Sequence, residues 1–323
     1  MRPAVGGRRL RRLSARVLTV AAADDGARLD QWLARALECS RRQAQRLIDD
    51  GAVRVGGARA AKGARVHGGA AVTVEHEPPR ADELRPLPDA GAPLDVLVAD
   101  DAIVAVAKPA GIATHPLRAG ERGTLANALV ARFPECALVA DDPREGGVAH
   151  RLDTETSGVV LAARTRAAWQ SLRRAFSDGA VAKEYLALVA GAPPDRATVA
   201  APLVHAGKRV RVARDSDLDR LAARTELETL ARGDGVALVR ALSSSGRMHQ
   251  IRVHLAHLGH PLVGDALYGG PPPAAGTRGH FLHAAAVTFP HPSTGTRTRL
   301  EAPLPPDRAA VLATVVGWPH PRG

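Results

Sequence analysis

Beyond residue 94 the apolar residues come in short runs, each cut off by turn residues, and this restricts the fold more than any other feature of the chain. LDVLVA (94–99) and AIVAVA (102–107) flank Asp100-Asp101, VVLAA spans 159–163, KEYLALVA spans 183–190 and LHAAAVTFP spans 282–290. Runs of this length that end at Gly, Pro or Asp read as buried strands. TELETLARGDGVALVRAL (225–242) reads as a hairpin around a Gly-Asp-Gly turn. Helical spacing is rarer. Thr165 is positioned to cap a helix whose Ala168, Trp169, Leu172, Ala175 and Phe176 share a face before Gly179, and GRMHQIRVHLAHLG (246–259) reads as a second helix closed by Gly259. Strands outnumber helices, so the expectation is an α+β domain on a mixed, largely antiparallel sheet. The chain has no run of 18 apolar residues, so no membrane partner is expected.

The chain before this region has a different pattern. Leu29, Trp32, Leu33, Ala36 and Leu37 follow helical spacing, and Ser40 with Gln43 forms a capping box that starts a second helix ending at Gly51. Ala44, Leu47 and Ile48 face inward on that helix. Arg41, Arg42 and Arg46 then lie outside, near a helix start where backbone amides favour an anion, so this is a candidate phosphate face with a plain solvated charge face as the alternative. Two short strand patterns around glycine turns complete the unit. The organisation expected is a basic arm and small domain over 1–76, a Pro-rich linker over 77–93 (EPPRADELRPLPDAGAP) and a second domain over 94–323. The start, MRPAVGGRRLRRLSARVLTVAAADDG, is read as a basic arm leading into a strand, because its apolar run is too short for a secretory signal. A transit peptide is the alternative.

Charge points toward a polyanion. The formal net charge is +11, and 40 of the 44 basic residues are Arg. A phosphate-rich partner accounts for that excess, with Arg-rich base composition of the gene as the bland alternative. Aromatics are only 3% of residues, too few for a base-stacking platform. Cys39 and Cys136 have no metal-ligand spacing, and two cysteines cannot build a disulfide framework. A reducing, cytoplasmic setting is expected. The histidines at 249, 254, 257 and 260 lack an accompanying Cys or carboxylate, so no metal is expected either.

HRLDTETSG (150–158) is the stretch that demands chemistry. Asp153, Glu155, Ser157 and Gly158 mimic the first half of a calcium-binding loop, but its twelfth position is Arg164, a cation where a bidentate Glu is required. A phosphoaspartate site fails as well, since no apolar strand leads into Asp153. Taken alone, Asp153 is more readily a structural turn aspartate capped by Thr156 or Ser157.

Two resemblances resolve this. RLDQWLA followed by SRRQAQRLIDDGAVRV and a glycine turn resembles the small RNA-binding module first seen in bacterial ribosomal protein S-four, with Gly56-Gly57 where Asn-Gly is usual. Behind it, AKPAGIATHP, HRLDTETSG, KEYLALV and GRMHQIRVHLAHLGHPLVGDALYG, in that order, resemble the RluA-type family of ribosomal pseudouridine synthases over roughly residues 16–310. Ala107, Arg164 and Met248 depart from the family pattern at positions outside its catalytic set. The resemblance implies isomerisation of uridine to pseudouridine in structured RNA, large-subunit rRNA first among candidates, without cofactor or metal; a monomer is the expectation for the chain. It matches Asp153 to the catalytic aspartate, Arg252 to a basic partner that orients it, Tyr185 to a tyrosine packed on the uracil and Ile251 to an apolar wall. Arg151 would fill the RNA stack as the target base flips. Arg247 and Lys108 are candidate substrate contacts, with a surface cation and a turn cation as their alternatives. Modification of tRNA by the same chemistry, or a non-catalytic RNA-binding assembly factor, are the competing functions.

Overall fold

The computed structural model of the chain describes residues 15–78, 82–207 and 209–318. The expected basic arm lies outside them, as does the side chain of Arg42. Two compact units, Met1–Glu83 and Leu84–Gly323, divide the chain.

The first unit contains β1 (Arg16–Thr19), α1 (Leu29–Ala36), α2 (Arg41–Asp49), β2 (Val53–Val55), β3 (Ala58–Arg59) and β4 (Ala71–Val74), its strands ordered β1-β4-β2-β3 and antiparallel. Gly56 and Gly57, both at positive φ, close the β2–β3 hairpin, which only residues free of a Cβ penalty do cheaply. The capping box forms: Ser40 Oγ accepts from the Gln43 amide at 3.2 Å and Gln43 Oε1 accepts from the Ser40 amide at 2.9 Å. Leu29, Trp32 and Leu33 of α1 and Ala44, Leu47 and Ile48 of α2 fill one core with Val53, Val66 and Val72. Asp30, buried at the base of α1, accepts from Arg28, Gln45 and Arg41. Those donors, Arg28 foremost, hold its carboxyl well below the usual range.

The second unit is built on a nine-stranded sheet. Its strands are β5 (Asp95–Ala99), β6 (Ile103–Lys108), β7 (Ser157–Ala163), β8 (Ala182–Ala190), β9 (Arg196–Val199), β12 (Thr225–Arg232), β13 (Val236–Ser243), β14 (Leu282–Pro290) and β15 (Arg297–Glu301); between them a separate hairpin pairs β10 (Leu203–Ala206) with β11 (Arg209–Val212). Sheet order is β5-β6-β7-β14-β8-β13-β12-β9, with β15 beside β14. Only β7 and β14 run parallel, so the sheet is mixed and largely antiparallel, as the short runs implied. Its helices are α3 (Leu125–Arg132), α4 (Arg166–Ser177), α5 (Gln250–His257) and α6 (Pro306–Val316). Thr165 caps α4 through the Ala168 amide, and Trp169 and Leu172 pack under β7.

Three differences from the sequence reading matter. Part of the expected linker is fastened to the second unit: the Leu87 carbonyl accepts from Asn127 Nδ2 at 2.8 Å and the Pro88 carbonyl from Arg122 Nη1 at 3.0 Å. Hydropathy alone cannot show such tertiary hydrogen bonds. The helix expected over 246–259 begins only at Gln250, because His249 adopts a left-handed backbone with φ 54°. Finally, α3, α6 and the β10–β11 hairpin have no counterpart in the sequence reading. Of these, α6 lacks an amphipathic stripe, because Arg308 is buried on its inner side among apolar neighbours.

Candidate active site

The HRLDTETSG loop crosses from the core to the start of β7, and its backbone is held from three directions. Thr114 Oγ1 donates to the Leu152 carbonyl at 2.9 Å and accepts from the Leu152 amide at 3.2 Å. Lys108 Nζ donates to the carbonyls of Pro109 (2.9 Å), Ile112 (2.8 Å) and Thr154 (3.0 Å). Arg308 of α6 donates to the carbonyls of Glu155 (2.7 Å) and Leu282 (2.6 Å). At the loop's end Thr156 Oγ1 meets His280 Nε2 at 2.8 Å, and Ser157 hydroxyl meets His283 Nδ1 at 2.9 Å, while His283 Nε2 donates to the Ala302 carbonyl. Gly158 follows with φ 122°, and a Cβ there would lie 2.2 Å from the Ala284 carbonyl oxygen. Only glycine lets β7 approach β14 at this point. Asp153 is therefore presented by a backbone with little freedom to move.

This arrangement corrects one expectation. Lys108 is not a substrate contact: it is 1% exposed and faces carbonyl oxygens. Burial pushes its pKa down to about 7, with Glu155 and Asp153 opposing. Three carbonyl acceptors within 3.0 Å nevertheless use all three hydrogens of an ammonium group, so the loop is tied by the charged form.

Opposite the loop, the entry to α5 is fixed by Gln250. Its Nε2 donates to Ser243 Oγ at 2.8 Å and the Arg224 carbonyl at 3.0 Å, while its Oε1 accepts from the Ser245 hydroxyl and the Arg247 amide. The next turn of α5 then aims Arg252 at two carboxylates. Arg252 Nη1 donates to Asp153 Oδ2 at 2.8 Å, and Nε and Nη2 form a two-pronged bond with Asp265 at 2.7 and 2.8 Å. Arg252 is 8% exposed, Asp265 1% and Asp153 21%. Burial disfavours the Arg252 cation, but the bonds to both aspartates outweigh it and its pKa is raised. Asp265 is likewise held below its ordinary pKa, Arg252 outweighing the cost of burial. The Tyr268 ring supports the guanidinium, whose carbon lies 5.0 Å from the ring centroid.

Asp153 and Arg252 open onto a cleft of about 340 Å³, within the range of small-ligand sites. Tyr185, Ile251, Arg151 and Arg247 also line it. Tyr185 sits on β8 between Ala241 of β13 and Ala284 of β14. Burial, and then the Asp153 charge, push its phenol pKa upward, so the hydroxyl keeps its proton at neutral pH. The ring offers an apolar face with a proton-bearing tip. Arg151 is exposed, and Arg247, also exposed, donates to the Ala222 carbonyl at 3.1 Å. Among the described residues no group of His, Cys, Asp and Glu could hold a metal ion.

The structure thus brings Asp153, Tyr185, Arg252, Ile251, Arg151 and Arg247 to one cleft and leaves Lys108 outside it. Arg41 and Arg46 belong to the first unit. Arg41 Nε donates to Asp30 at 2.9 Å, though 49% of its side chain stays exposed, and Arg46 is exposed. The sequence reading missed Asp265, Tyr268 and His249. The GDALYG stretch that contains the first two was visible, but nothing local distinguishes an aspartate aimed at Arg252 from a turn residue.

Residues 102–257 match the family described as RNA pseudouridylate synthase, and residues 27–72 match the S4 domain. An uncharacterized RNA pseudouridine synthase of Chloroflexus aurantiacus is 38% identical over 298 residues, 92% of each chain. The ribosomal large subunit pseudouridine synthase D of Nitrosomonas europaea is 36% identical over 304 residues, 91% of this chain and 86% of that one. Among solved structures, human RNA pseudouridylate synthase domain containing 1 superposes with a TM-score of 0.52 at 26% identity, over 68% of this chain and 86% of that one.

Proposed function

Since the chain belongs to the RNA pseudouridylate synthase family and isomerises uridine in RNA, we propose that Asp153 is its catalytic carboxylate and that its substrate is large-subunit rRNA. The observation that carries this reading is the Asp153–Arg252–Asp265 chain at the floor of a cleft walled by Tyr185 and Ile251. The reaction breaks the bond from N1 to C1′, turns the uracil and joins C5 to C1′; C5 releases a proton to solvent and N1 gains one. An anionic oxygen next to the sugar and base is the requirement, and Arg252 orients one oxygen of Asp153 while leaving the other turned to the cleft. Tyr185 supplies the face against which the uracil packs. The rRNA assignment rests on the names of relatives such as the Nitrosomonas enzyme. Carbodiimide mapping of pseudouridines in cells with and without the gene tests it: sites lost from large-subunit rRNA support the assignment, and sites lost only from tRNA overturn it.

Arg151 at the cleft mouth takes the place of the flipped uridine in the RNA stack. Arg151→Ala therefore slows the reaction on a folded stem-loop much more than on a short unstructured RNA, where the base has little stacking to lose. Arg164, a cation just outside the motif, is not a neutral control, because it is bonded to Glu135 and the Asp100 carbonyl and packs over Phe133. The exposed Arg297 on β15 serves instead. Single-turnover tritium release from C5-labelled uridine reads the rates, and equal losses on both substrates rule the flipping role out.

The first unit holds RNA through its phosphates. Replacing Arg41, Arg42 and Arg46 with Ala flattens the slope of log K against log salt by about 0.7 for each phosphate that is no longer neutralised on a single strand, with little change in turnover at saturation. An unchanged slope returns these residues to the status of solvated charges.

A further inference from the structure

His249 occupies a costly backbone position that its side chain does not repay locally. It is one of two non-glycine residues at positive φ among the described residues, and it stands at the N-cap of α5 without a side-chain capping bond. A helix N-cap chosen for its capping bond alone is Ser, Thr, Asp, Asn or Gly rather than His. A strained residue held at a cleft is a pointer to function rather than to stability.

Its ring is committed in two directions. Nδ1 lies 2.8 Å from the Tyr268 hydroxyl, and Nε2 lies 3.8 Å from Asp153 Oδ1, the oxygen that Arg252 leaves free. The third partner of the relay is compatible with one particular placement of the protons. The Val210 amide of β11 donates to the Tyr268 oxygen at 3.1 Å, so the phenol's own hydrogen is available for Nδ1. Nδ1 then accepts, and in the neutral ring Nε2 carries the hydrogen and directs it at Asp153. The rings of His249 and Tyr268 meet edge to face, 5.7 Å apart and 82° inclined, which fixes the imidazole plane. The charged groups around the ring are Asp153, Arg252, Asp265 and Arg151; burial outweighs them and lowers its pKa, so the ring is neutral at pH 7.

We propose that His249 is a positioning residue for Asp153: its Nε2–H closes onto Oδ1 when RNA fills the cleft, so the carboxylate is held at both oxygens, and Tyr268, anchored by the Val210 amide, sets the ring for that task. The separation of 3.8 Å is longer than a hydrogen bond, as is common in a site without substrate that tightens on binding. The inference rests on Asp153 being the working carboxylate. Arg252 orients one oxygen through the α5 backbone, whereas His249 ties the other to the β10–β11 hairpin.

A double-mutant cycle on the full chain tests this, with single-turnover rate at saturating RNA and RNA affinity as separate readouts. His249→Gly relieves the strain and deletes the ring; it slows the chemical step about 10- to 100-fold, the range in which a misplaced reacting group falls, and leaves affinity within about twofold. His249→Asn, whose backbone also tolerates positive φ, gives a similar loss and covers the case of a glycine variant that does not fold. Tyr268→Phe keeps the ring under Arg252 but removes the hydroxyl. It slows the wild type about tenfold and the His249→Gly background less than twofold, because its effect passes through His249. A merely structural role for Tyr268 gives equal losses in both backgrounds, which overturns the relay. His249→Gly and His249→Asn both within about twofold of wild type overturn the positioning role. Asp153→Asn, run alongside, separates this failure from that of the underlying reading: if it stays active, the carboxylate assignment itself falls.

Discussion

Asp153→Asn lowers the single-turnover rate of pseudouridine formation by at least about a thousandfold, while RNA affinity stays within about twofold of wild type. Removal of an essential catalytic group from an otherwise intact site costs at least this much. The amide matches the carboxylate in size, so the clamped loop is undisturbed: Lys108, Thr114 and Arg308 all act on backbone carbonyls of the loop, and none depends on the Asp153 side chain. What disappears is the anion. Since Arg252 remains bonded to Asp265, a large loss of rate cannot be ascribed to a displaced guanidinium. Tritium release from C5-labelled uridine measures the rate and filter binding the affinity. A variant retaining activity within about tenfold of wild type removes Asp153 from the catalytic role.

Arg252→Ala has the largest effect on stability. It leaves two carboxylates without their cation, one of them only 1% exposed. Breaking a buried pair by removing one partner costs about 3–5 kcal/mol, most of it from the charge left behind. The pH dependence follows from the shifts. In the wild type, Asp265 is depressed by Arg252, so its contribution is present above the unfolded carboxylate pKa and is lost as pH falls through its lower folded value. In the variant the same buried carboxyl has no cation, burial raises its pKa, and the folded state binds the proton more tightly than the unfolded one. The stability gap between wild type and variant therefore widens as pH rises from 5 to 7. Denaturant unfolding at the two pH values measures it. A gap that is constant or narrows means that Asp265 finds another partner and the chain of three charges is not a unit.

Much of the architecture was legible from local patterns. Short apolar runs cut by turns gave an α+β unit on a mostly antiparallel sheet, and the Ser40–Gln43 box and the Thr165 cap fell where helical periodicity and hydrogen-bonding side chains coincide. These are properties of neighbours within a few residues, where backbone preference and side-chain spacing act directly. The ordered motifs, through their resemblance to a family, also named Asp153, Tyr185 and Arg252 as a set. Their convergence is a tertiary fact: Asp153 and Arg252 are 99 positions apart and meet because β7, β8 and α5 are assembled around one cleft.

What the sequence could not decide concerns burial and partners. Lys108 reads as a substrate contact or a turn cation beside a proline, and only the folded chain shows it surrounded by carbonyl oxygens beneath the Asp153 loop. Arg308 lies in a helix that the sequence reading did not find, and only the folded chain shows it buried and gripping the same loop. Asp265 is indistinguishable from a turn aspartate until Arg252 is placed against it, and His249 is read as the first turn of a helix until its backbone proves left-handed. Each of these depends on contacts between segments distant in the chain, whose free energy is set by desolvation and hydrogen-bond geometry in the assembled core. Local sequence determined which elements form and which motif contains the chemistry; the three-dimensional packing alone decided which charges are buried, which carbonyls they hold, and which groups face the working carboxylate.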